Sequence, residues 1–362
     1  MLKCQVKEIM ENERRKQEIE NSKREKLKKE KPLVFEKIIK IQERFKAGMA
    51  TPVIDIGYNR ACNLKCQHCF TTRFAKKDRS LTPPDLKKLS DEAHELGLCQ
   101  FVISGGEPLI FHDIKEVIMA LQPDKFHLSM STNGHFLTKE MAKNLKSWGL
   151  DKVKISLDDF DEKMHDENRR SDGAYKKAME ALFNAKEAGL GVVIQTCITH
   201  KNCRTDRTLQ LAKFAQENGF VVDVMVAHAV GEWEGKHDML IDEQDAAYMR
   251  EVNKQYPSLH RDTFPTYGID RGCGCVRSNL HLTQHGDILP CGFIHISIGS
   301  IFSESLADIL KRGLSIKYFN EYNPLCLSGE DKNFINKFMM KFYGKPLPIH
   351  WSEVFGKEDF VK

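Results

Sequence analysis

The sequence lacks any long hydrophobic run. No apolar stretch approaches the roughly 20 residues that a membrane-spanning helix needs, and the charged amino terminus lacks the apolar core of a signal peptide. A large net charge is also missing, because 55 Lys and Arg stand against 51 Asp and Glu. The small positive excess is concentrated in the first fifty residues. We therefore expect no membrane span, no nucleic-acid partner and a cytoplasmic location.

The eleven cysteines do not form the evenly spaced, even-numbered set that is typical of a disulfide framework. Most of them fall into two groups, and the remaining four, Cys4, Cys99, Cys197 and Cys203, follow no pattern. Grouped thiols indicate metal ligation in a reducing cytoplasm. The four scattered cysteines are predicted to be ordinary small apolar residues.

Short apolar strands alternate with amphipathic helices from residue 52 onward. Strands are predicted at roughly 52–58, 100–104, 126–132, 152–158, 191–199 and 220–228, and helices at roughly 82–96, 112–121, 138–148, 173–188, 205–218 and 241–255. Six successive βα units favour a parallel sheet with right-handed crossovers, in the α/β class. Because six units cannot close an eight-stranded barrel, we predict a partial, TIM-like (β/α)6 barrel. Its chemistry is expected at the carboxyl ends of the strands.

Changes in composition divide the chain into four predicted segments. A charged helical segment covers residues 1–50, and its apolar stripe is expected to pack on the main domain. The partial barrel covers residues 51–256. A small cysteine-bearing domain is predicted at 257–330, and a helix with an extended tail at 331–362.

Three cysteines occupy one short loop after the first predicted strand: Cys62, Cys66 and Cys69. The loop is short enough for all three thiolates to reach one inorganic centre. Three thiolates leave one position of the centre open, and an open position can bind and activate a ligand. A structural zinc site with His68 as the fourth ligand is the alternative, although zinc ligands usually come as more widely separated C-x2-C pairs.

A Gly-Gly-Glu-Pro sequence ends the second predicted strand, at Gly105, Gly106, Glu107 and Pro108. The glycines predict a place where a ligand approaches the backbone closely, and Glu107 offers an acceptor to a cationic donor. A tight strand-to-helix turn is the simpler alternative. The cysteine triplet, followed about forty residues later by this sequence, resembles the signature of the radical S-adenosylmethionine (SAM) superfamily.

That resemblance implies a set of cofactor contacts. In the family, three cysteines hold a 4Fe–4S cluster whose fourth iron binds SAM, and the Gly-Gly-Glu-Pro motif holds the SAM amino group. The resemblance also implies SAM contacts from Phe70, Ser156, Asp158 and Arg169, the last of which would pair with the SAM carboxylate. A surface position for Arg169 is the alternative. Because an uncompensated buried carboxylate is costly, we expect Asp158 to have a partner.

The second cysteine group comprises Cys273, Cys275, Cys291 and Cys326. Two short strands around residues 285–287 are predicted to form a hairpin that brings Cys291 back beside Cys275. The spacing resembles the SPASM/twitch extension of radical SAM enzymes, in the shorter twitch form with one auxiliary cluster. Four thiolates suffice for a second 4Fe–4S cluster. The tight C-x-C spacing leaves the participation of Cys273 open, and zinc is the alternative metal.

The resemblance implies that SAM is reductively cleaved to a 5′-deoxyadenosyl radical, which takes a hydrogen atom from a substrate. The first hypothesis is oxidation or epimerisation of a small molecule, such as a sugar, an aminocyclitol or a nucleotide, with the auxiliary cluster in electron transfer. The second is a peptide maturase that crosslinks or oxidises a ribosomal peptide. The third, a non-enzymatic iron–sulfur or zinc protein, leaves the Gly-Gly-Glu-Pro sequence unexplained. The expected partners are a small-molecule or peptide substrate and a reductant such as flavodoxin or ferredoxin.

Overall fold

The computed structural model describes residues 21–22 and 24–361. Cys4 and the other residues of positions 1–20 and 23, which belong to the predicted charged segment, therefore lie outside the described residues. No helix among the residues that are described has the length and apolar character needed to cross a membrane.

The α-helices and β-strands alternate along most of the described chain. The helices are α1 (Pro32–Lys46), α2 (Pro83–Glu95), α3 (Ile114–Ala120), α4 (Lys139–Ser147), α5 (Glu162–Arg169), α6 (Ala174–Glu187), α7 (Asp206–Asn218), α8 (Glu243–Gln255), α9 (Leu306–Ser315), α10 (Lys317–Asn320) and α11 (Lys332–Lys337). The strands are β1 (Val53–Asn59), β2 (Gln100–Gly105), β3 (His127–Thr132), β4 (Lys152–Ser156), β5 (Gly191–Ile198), β6 (Val221–Val226), β7 (Leu259–His260), β8 (Asn279–Leu282), β9 (Asp287–Leu289), β10 (Ile296–Ser297), β11 (Gly299–Ser300) and β12 (Ile349–His350).

The six predicted strands are confirmed as a parallel sheet in the order β1 to β6. The structure adds a parallel strand at each side, because β7 pairs with β6 and β8 pairs with β1. The chain then turns back from β8 into antiparallel β9, which confirms the predicted hairpin. β8 lies beyond the predicted boundary at residue 257, yet it belongs to the barrel sheet, and the division into four segments stays a prediction.

The strands bury one face against the helices and turn the other toward the barrel interior. On β1, Ile54 and Ile56 are fully buried in the main core, whereas Asp55 between them points to the inside. β2 repeats the pattern with buried Phe101 and Ile103. This alternation follows from the two-residue period of a strand. The helices therefore cover an apolar outer face, and the inner face carries polar side chains.

Helix α1 packs on the main domain, as its apolar stripe predicts. Val34, Ile41 and Phe45 are buried, and the preceding Lys31 donates to the Asp151 carboxylate at 2.7 Å. Lys37 is also buried, with its ammonium 3.8 Å from the centre of the Phe126 ring. Burial lowers the pKa of Lys37 to about 8.

The sheet ends at β7, and the carboxyl-terminal part of the chain contacts this edge, which we call the seam of the barrel. Arg261, just after β7, is almost fully buried and binds Glu330 at 2.6 Å. The same carboxylate accepts a hydrogen bond from the backbone N–H of Cys326 at 3.0 Å. This ion pair therefore links the last strand of the barrel to the loop that carries Cys326.

Replacing Glu330 with Gln should lower the free energy of unfolding by about 3 kcal/mol, because it leaves the buried Arg261 guanidinium without a counter-charge. Urea unfolding followed by circular dichroism measures the change. Glu187→Gln is the matched control, since its ion pair with Lys139 is solvent-exposed and should leave the unfolding midpoint where it is. Equal midpoints for Glu330→Gln and the unmodified protein would contradict the assigned role.

Candidate active site

The three cysteines of the first group lie in the loop that follows β1. Cys62 is exposed, and Cys66 and Cys69 are half-buried. All three line a cavity of about 440 Å³ at the carboxyl ends of the strands. Burial raises the pKa of the half-buried Cys66 thiol. The loop thus presents three thiols to one interior space, as the sequence predicts.

The backbone of the Gly-Gly-Glu-Pro sequence contacts the cysteine loop. The backbone N–H of Gly106 donates to the Asn59 carbonyl at 2.6 Å, and that of Glu107 donates to the Ala61 carbonyl at 2.9 Å. A Cβ on Gly106 would lie 2.0 Å from the Ala61 oxygen. The glycines therefore allow the backbone of the cysteine loop to approach closely. Both glycines also line the cavity.

Glu107 has a different environment from the one expected for a ligand acceptor. Its carboxylate is fully buried and accepts from the Thr132 hydroxyl and the Asn133 N–H, each at 2.7 Å, and from the Leu109 N–H at 3.1 Å. Burial raises its pKa. Neither Glu107 nor Pro108 lines the cavity. The Glu107 side chain ties the ends of β2 and β3 together, and its role toward the SAM amino group stays a prediction.

Asp158 has the partner that its buried position requires. It accepts from the Arg169 guanidinium at 2.7 Å, and its backbone N–H donates to the His165 ring at 3.1 Å. Burial opposes ionisation of Asp158, but the nearby Arg169, with His68 and His165, outweighs it and lowers the pKa of Asp158 to about 2. The carboxylate is therefore ionised at neutral pH.

Arg169 is buried, so the surface alternative for it is wrong. Its guanidinium reaches the Cys66 sulfur at 3.7 Å. Its Nε and the second oxygen of Asp158 are buried and have no hydrogen-bond partner among the described residues. Arg169, Asp158 and the neighbouring Ser156 line the same cavity as the cysteines. Two unpaired polar atoms beside the cysteine loop fit a polar ligand at this place.

Helix α5 carries Arg169 and was not among the helices expected from the sequence. Its carboxyl end contacts the cysteine loop, because the backbone N–H and side-chain amide of Gln67 donate to the Asn168 and Glu167 carbonyls, each at 2.9 Å. A start signal is present in the sequence, since Asp161 accepts from the Met164 N–H as an N-cap. The helix is short and polar, so its apolar periodicity is too weak to identify it.

The cysteine positions do not fit a single zinc ion. Two ligands of one zinc ion with Zn–S bonds of about 2.3 Å cannot be more than about 4.6 Å apart. Within the described residues, the one group of three His, Cys, Asp or Glu side chains whose ligand atoms all lie within 4.8 Å of one another is His200, Asp242 and Asp245. Asp242 and Asp245 cap helix α8. A cluster of several irons, which spans a larger distance than one ion, suits the cysteines better.

His68, the alternative zinc ligand, lies against other groups. Its Nε2 is 3.8 Å from the Asp158 carboxylate, and its ring packs on Trp233. Burial lowers the pKa of His68 to about 4.

The second cysteine group reaches the same cavity through the seam of the barrel. Cys273, Cys275, Cys291 and Cys326 all line it. The sulfurs of Cys273 and Cys275 are 3.6 Å apart, and the neighbouring Cys275 and Cys326 thiols lower the pKa of Cys273. Cys291 completes the group beside Cys275. The donor set therefore fits a second, all-thiolate centre, with Cys273 in its middle.

Three ring side chains also line the cavity. Phe70, directly after Cys69, packs against Phe293 with ring centres 5.1 Å apart. The His228 ring stacks on Phe293 with ring centres 3.7 Å apart. Sequence reasoning identified Phe70 but missed Phe293 and His228, because their contacts join distant parts of the chain.

Comparison with known proteins agrees with this geometry. The family model of the radical SAM superfamily matches residues 56–215. Residues 56–215 of this chain therefore match a radical SAM domain. Members of this family use a 4Fe–4S cluster and SAM, and the three-thiol loop and the unpaired polar atoms beside it fit both. The cysteine-rich carboxyl-terminal part fits an auxiliary cluster of the SPASM/twitch type.

The names of the relatives of this chain refer to different substrates. An AdoMet-dependent heme synthase of Nitratidesulfovibrio vulgaris is 23% identical over 74% of this chain and 81% of the relative. A GTP 3′,8-cyclase of Aliarcobacter butzleri is 29% identical over 75% of this chain and 91% of the relative. Streptococcus suis SuiB, solved with its precursor peptide SuiA, shares the fold with a TM-score of 0.58 at 20% identity, over 74% of this chain and 66% of SuiB.

Replacing Arg169 with Gln should weaken SAM binding by about tenfold or more, because the change removes a buried cation beside the cysteine loop. Equilibrium dialysis of the reconstituted protein with SAM measures the affinity. The adjacent Arg170 is exposed, with Glu232 4.0 Å away, so Arg170→Gln is the matched control and should bind SAM normally. Equal losses in the two variants would count against a specific role for Arg169.

Gly106→Ala should displace the cysteine loop, since the added Cβ would overlap the Ala61 carbonyl. We expect less iron per protein after reconstitution than in the unmodified chain. Gly191→Ala, at the start of β5, adds a Cβ 3.3 Å from its nearest neighbour and should bind iron normally. A full iron content in Gly106→Ala would show that the loop does not need this contact.

Proposed function

We propose that this chain cleaves SAM reductively and oxidises or epimerises a polar small molecule, such as a sugar, an aminocyclitol or a nucleotide, bound between the two cysteine groups. One observation carries the proposal. A single cavity is lined both by Cys62, Cys66 and Cys69 and by Cys273, Cys275, Cys291 and Cys326. A substrate in that cavity would contact both centres.

When bound, the cofactors supply a 5′-deoxyadenosyl radical at the first group and an electron-transfer partner at the second. The chain's own residues bind and orient the reactants. Cys62, Cys66 and Cys69 would hold the first cluster, and the second group would hold the auxiliary cluster. SAM would lie against Gly105, Gly106, Ser156, Asp158 and Arg169.

Phe70 and Phe293 pack together and line the shared cavity. Their apolar surface would exclude water from the place where a carbon radical would form. Asp158 holds the Arg169 guanidinium in place, so that the remaining N–H groups of Arg169 can donate to a ligand carboxylate.

The cysteines also bear on the proposed reductant and on the cell compartment. The exposed position of Cys62 gives a reductant such as flavodoxin or ferredoxin access to the first centre. All ten cysteines of the described residues are free, which supports a reducing cytoplasm as the working compartment.

A ribosomal peptide is the second candidate substrate. The similarity in fold to SuiB, which is solved with its precursor peptide, favours it. In that case a side chain of the peptide would enter the cavity, and the rest of the peptide would lie outside.

Anaerobically reconstituted protein should bind about eight irons, four for each cluster, and should release 5′-deoxyadenosine from SAM when a strong reductant is added. Replacing Cys62, Cys66 and Cys69 together with Ala should abolish this release and leave about four irons. Iron analysis and chromatography of the products measure both effects. The absence of 5′-deoxyadenosine from the unmodified protein, under any reconstitution, would refute the proposed activity.

A further inference from the structure

Among the charged side chains that line the cavity away from the residues assigned to SAM, three occupy matching positions on their strands. They are Asp55 on β1, Lys154 on β4 and Asp223 on β6, and each is the third residue of its strand. We call them the polar belt. Barrels of this class usually fill the corresponding positions with layers of bulky apolar side chains. Here charged groups surround an open space, and the proposed binding of SAM and the clusters leaves them without a role.

Lys154 on β4 and Asp223 on β6 form an ion pair that passes over the intervening strand β5. The Lys154 ammonium donates to the Asp223 carboxylate at 2.8 Å. Burial opposes the charged form of each group, but their mutual attraction outweighs it, so the pKa of Lys154 is raised and that of Asp223 is lowered. Both groups are charged at neutral pH.

Asp55 is the third member of the belt and a second carboxylate. Its Oδ1 accepts from the Ser104 hydroxyl and lies 3.6 Å from Nδ1 of His281, which is buried behind it. Burial opposes ionisation of Asp55, but His281, Ser104 and Lys154 outweigh it and lower its pKa. Its Oδ2 accepts no hydrogen bond from the described part of the chain. The side chain is 40% exposed, on the wall of the cavity that it lines.

The belt therefore contains two carboxylates and one ammonium. The surroundings of Asp55 stabilise its ionised form, yet one of its oxygens is left without a donor among the described residues. Hydrogen bonds between charged groups are the strongest that a ligand can offer to such an oxygen. The free oxygen of Asp55 is the place where such a bond would form.

We propose that the polar belt recognises the substrate and that Asp55 binds a cationic nitrogen group of the substrate, either a protonated amine or a guanidinium. The Lys154 and Asp223 charges offset each other within their ion pair, so Asp55 is the belt carboxylate that remains for a ligand. This inference rests on the proposed function, because it takes the cavity as the substrate site. Both candidate substrates contain members of this class, namely amino sugars or aminocyclitols and peptides with Lys or Arg side chains.

Two pairs of probes test the charge preference in the reconstituted, SAM-bound protein. Glucosamine is compared with glucose, and N-acetyl-lysine amide with N-acetyl-norleucine amide. Anaerobic titration calorimetry measures each affinity. In at least one pair, the cationic member should bind about tenfold more tightly or better than the neutral member. A preference in the sugar pair indicates a small-molecule substrate, and a preference in the lysine pair indicates a peptide side chain.

Three variants assign the preference to the belt. Asp55→Asn keeps the shape of the side chain and should remove the preference. Lys154→Gln removes an ammonium that repels the cationic probe, so this variant should show a larger charge preference. A purely structural role of the belt does not predict such an increase. Asp238→Asn is the control, because Asp238 is exposed and pairs with Lys201 at the surface; it should not change the preference. Circular dichroism verifies that each variant is folded.

The inference is overturned if neither pair shows a charge preference, if the preference survives Asp55→Asn, or if Lys154→Gln weakens it. The same preparation of unmodified protein is assayed for 5′-deoxyadenosine. A preparation that cleaves SAM but shows no charge preference contradicts only the role of the belt. A preparation that does not cleave SAM contradicts the proposed function itself.

Discussion

The pairing of β8 with β1 is the interaction on which the rest of the site depends. Four residue pairs, from Val53 with Asn279 to Ile56 with Leu282, join two segments that are more than two hundred positions apart in the chain. β1 leads into the loop of Cys62, Cys66 and Cys69, and β8 lies between Cys275 and Cys291. The pairing therefore brings the two cysteine groups to one cavity, although they are far apart in the sequence.

Glycine and buried charge hold the cysteine loop in its position. The absence of a Cβ at Gly105 and Gly106 lets the loop backbone lie directly on the end of β2. On the other side, Gln67 binds the end of α5, and that helix presents Arg169 to Asp158 and Cys66. A buried guanidinium is stable only next to a carboxylate or an anionic ligand. The Asp158 carboxylate stabilises the buried Arg169 guanidinium. The Nε of Arg169 has no partner among the described residues and is available to a bound anion.

The polar interior of the barrel distinguishes this chain from a barrel whose interior is filled with apolar side chains. The outer faces of the strands are apolar and packed against helices, so the stability of the sheet does not require apolar residues on the inside. The inner positions are free to carry Asp55, Lys154 and Asp223 and to surround a cavity of about 440 Å³. This size lies in the range of about 300–1,000 Å³ that is typical of ligand sites.

Local patterns in the sequence predicted the order of the βα units, the six central strands and the residues of both cysteine groups, because strand periodicity and ligand spacing are local properties. It also predicted that Asp158 needs a partner, but it did not predict helix α5 as a unit. The folded structure was needed to show that Arg169 is that partner, that Glu107 accepts from Thr132 and Asn133, and that Phe293 packs on Phe70 and His228. Each of these contacts joins side chains from separate elements, and such contacts leave no periodic signal in the sequence.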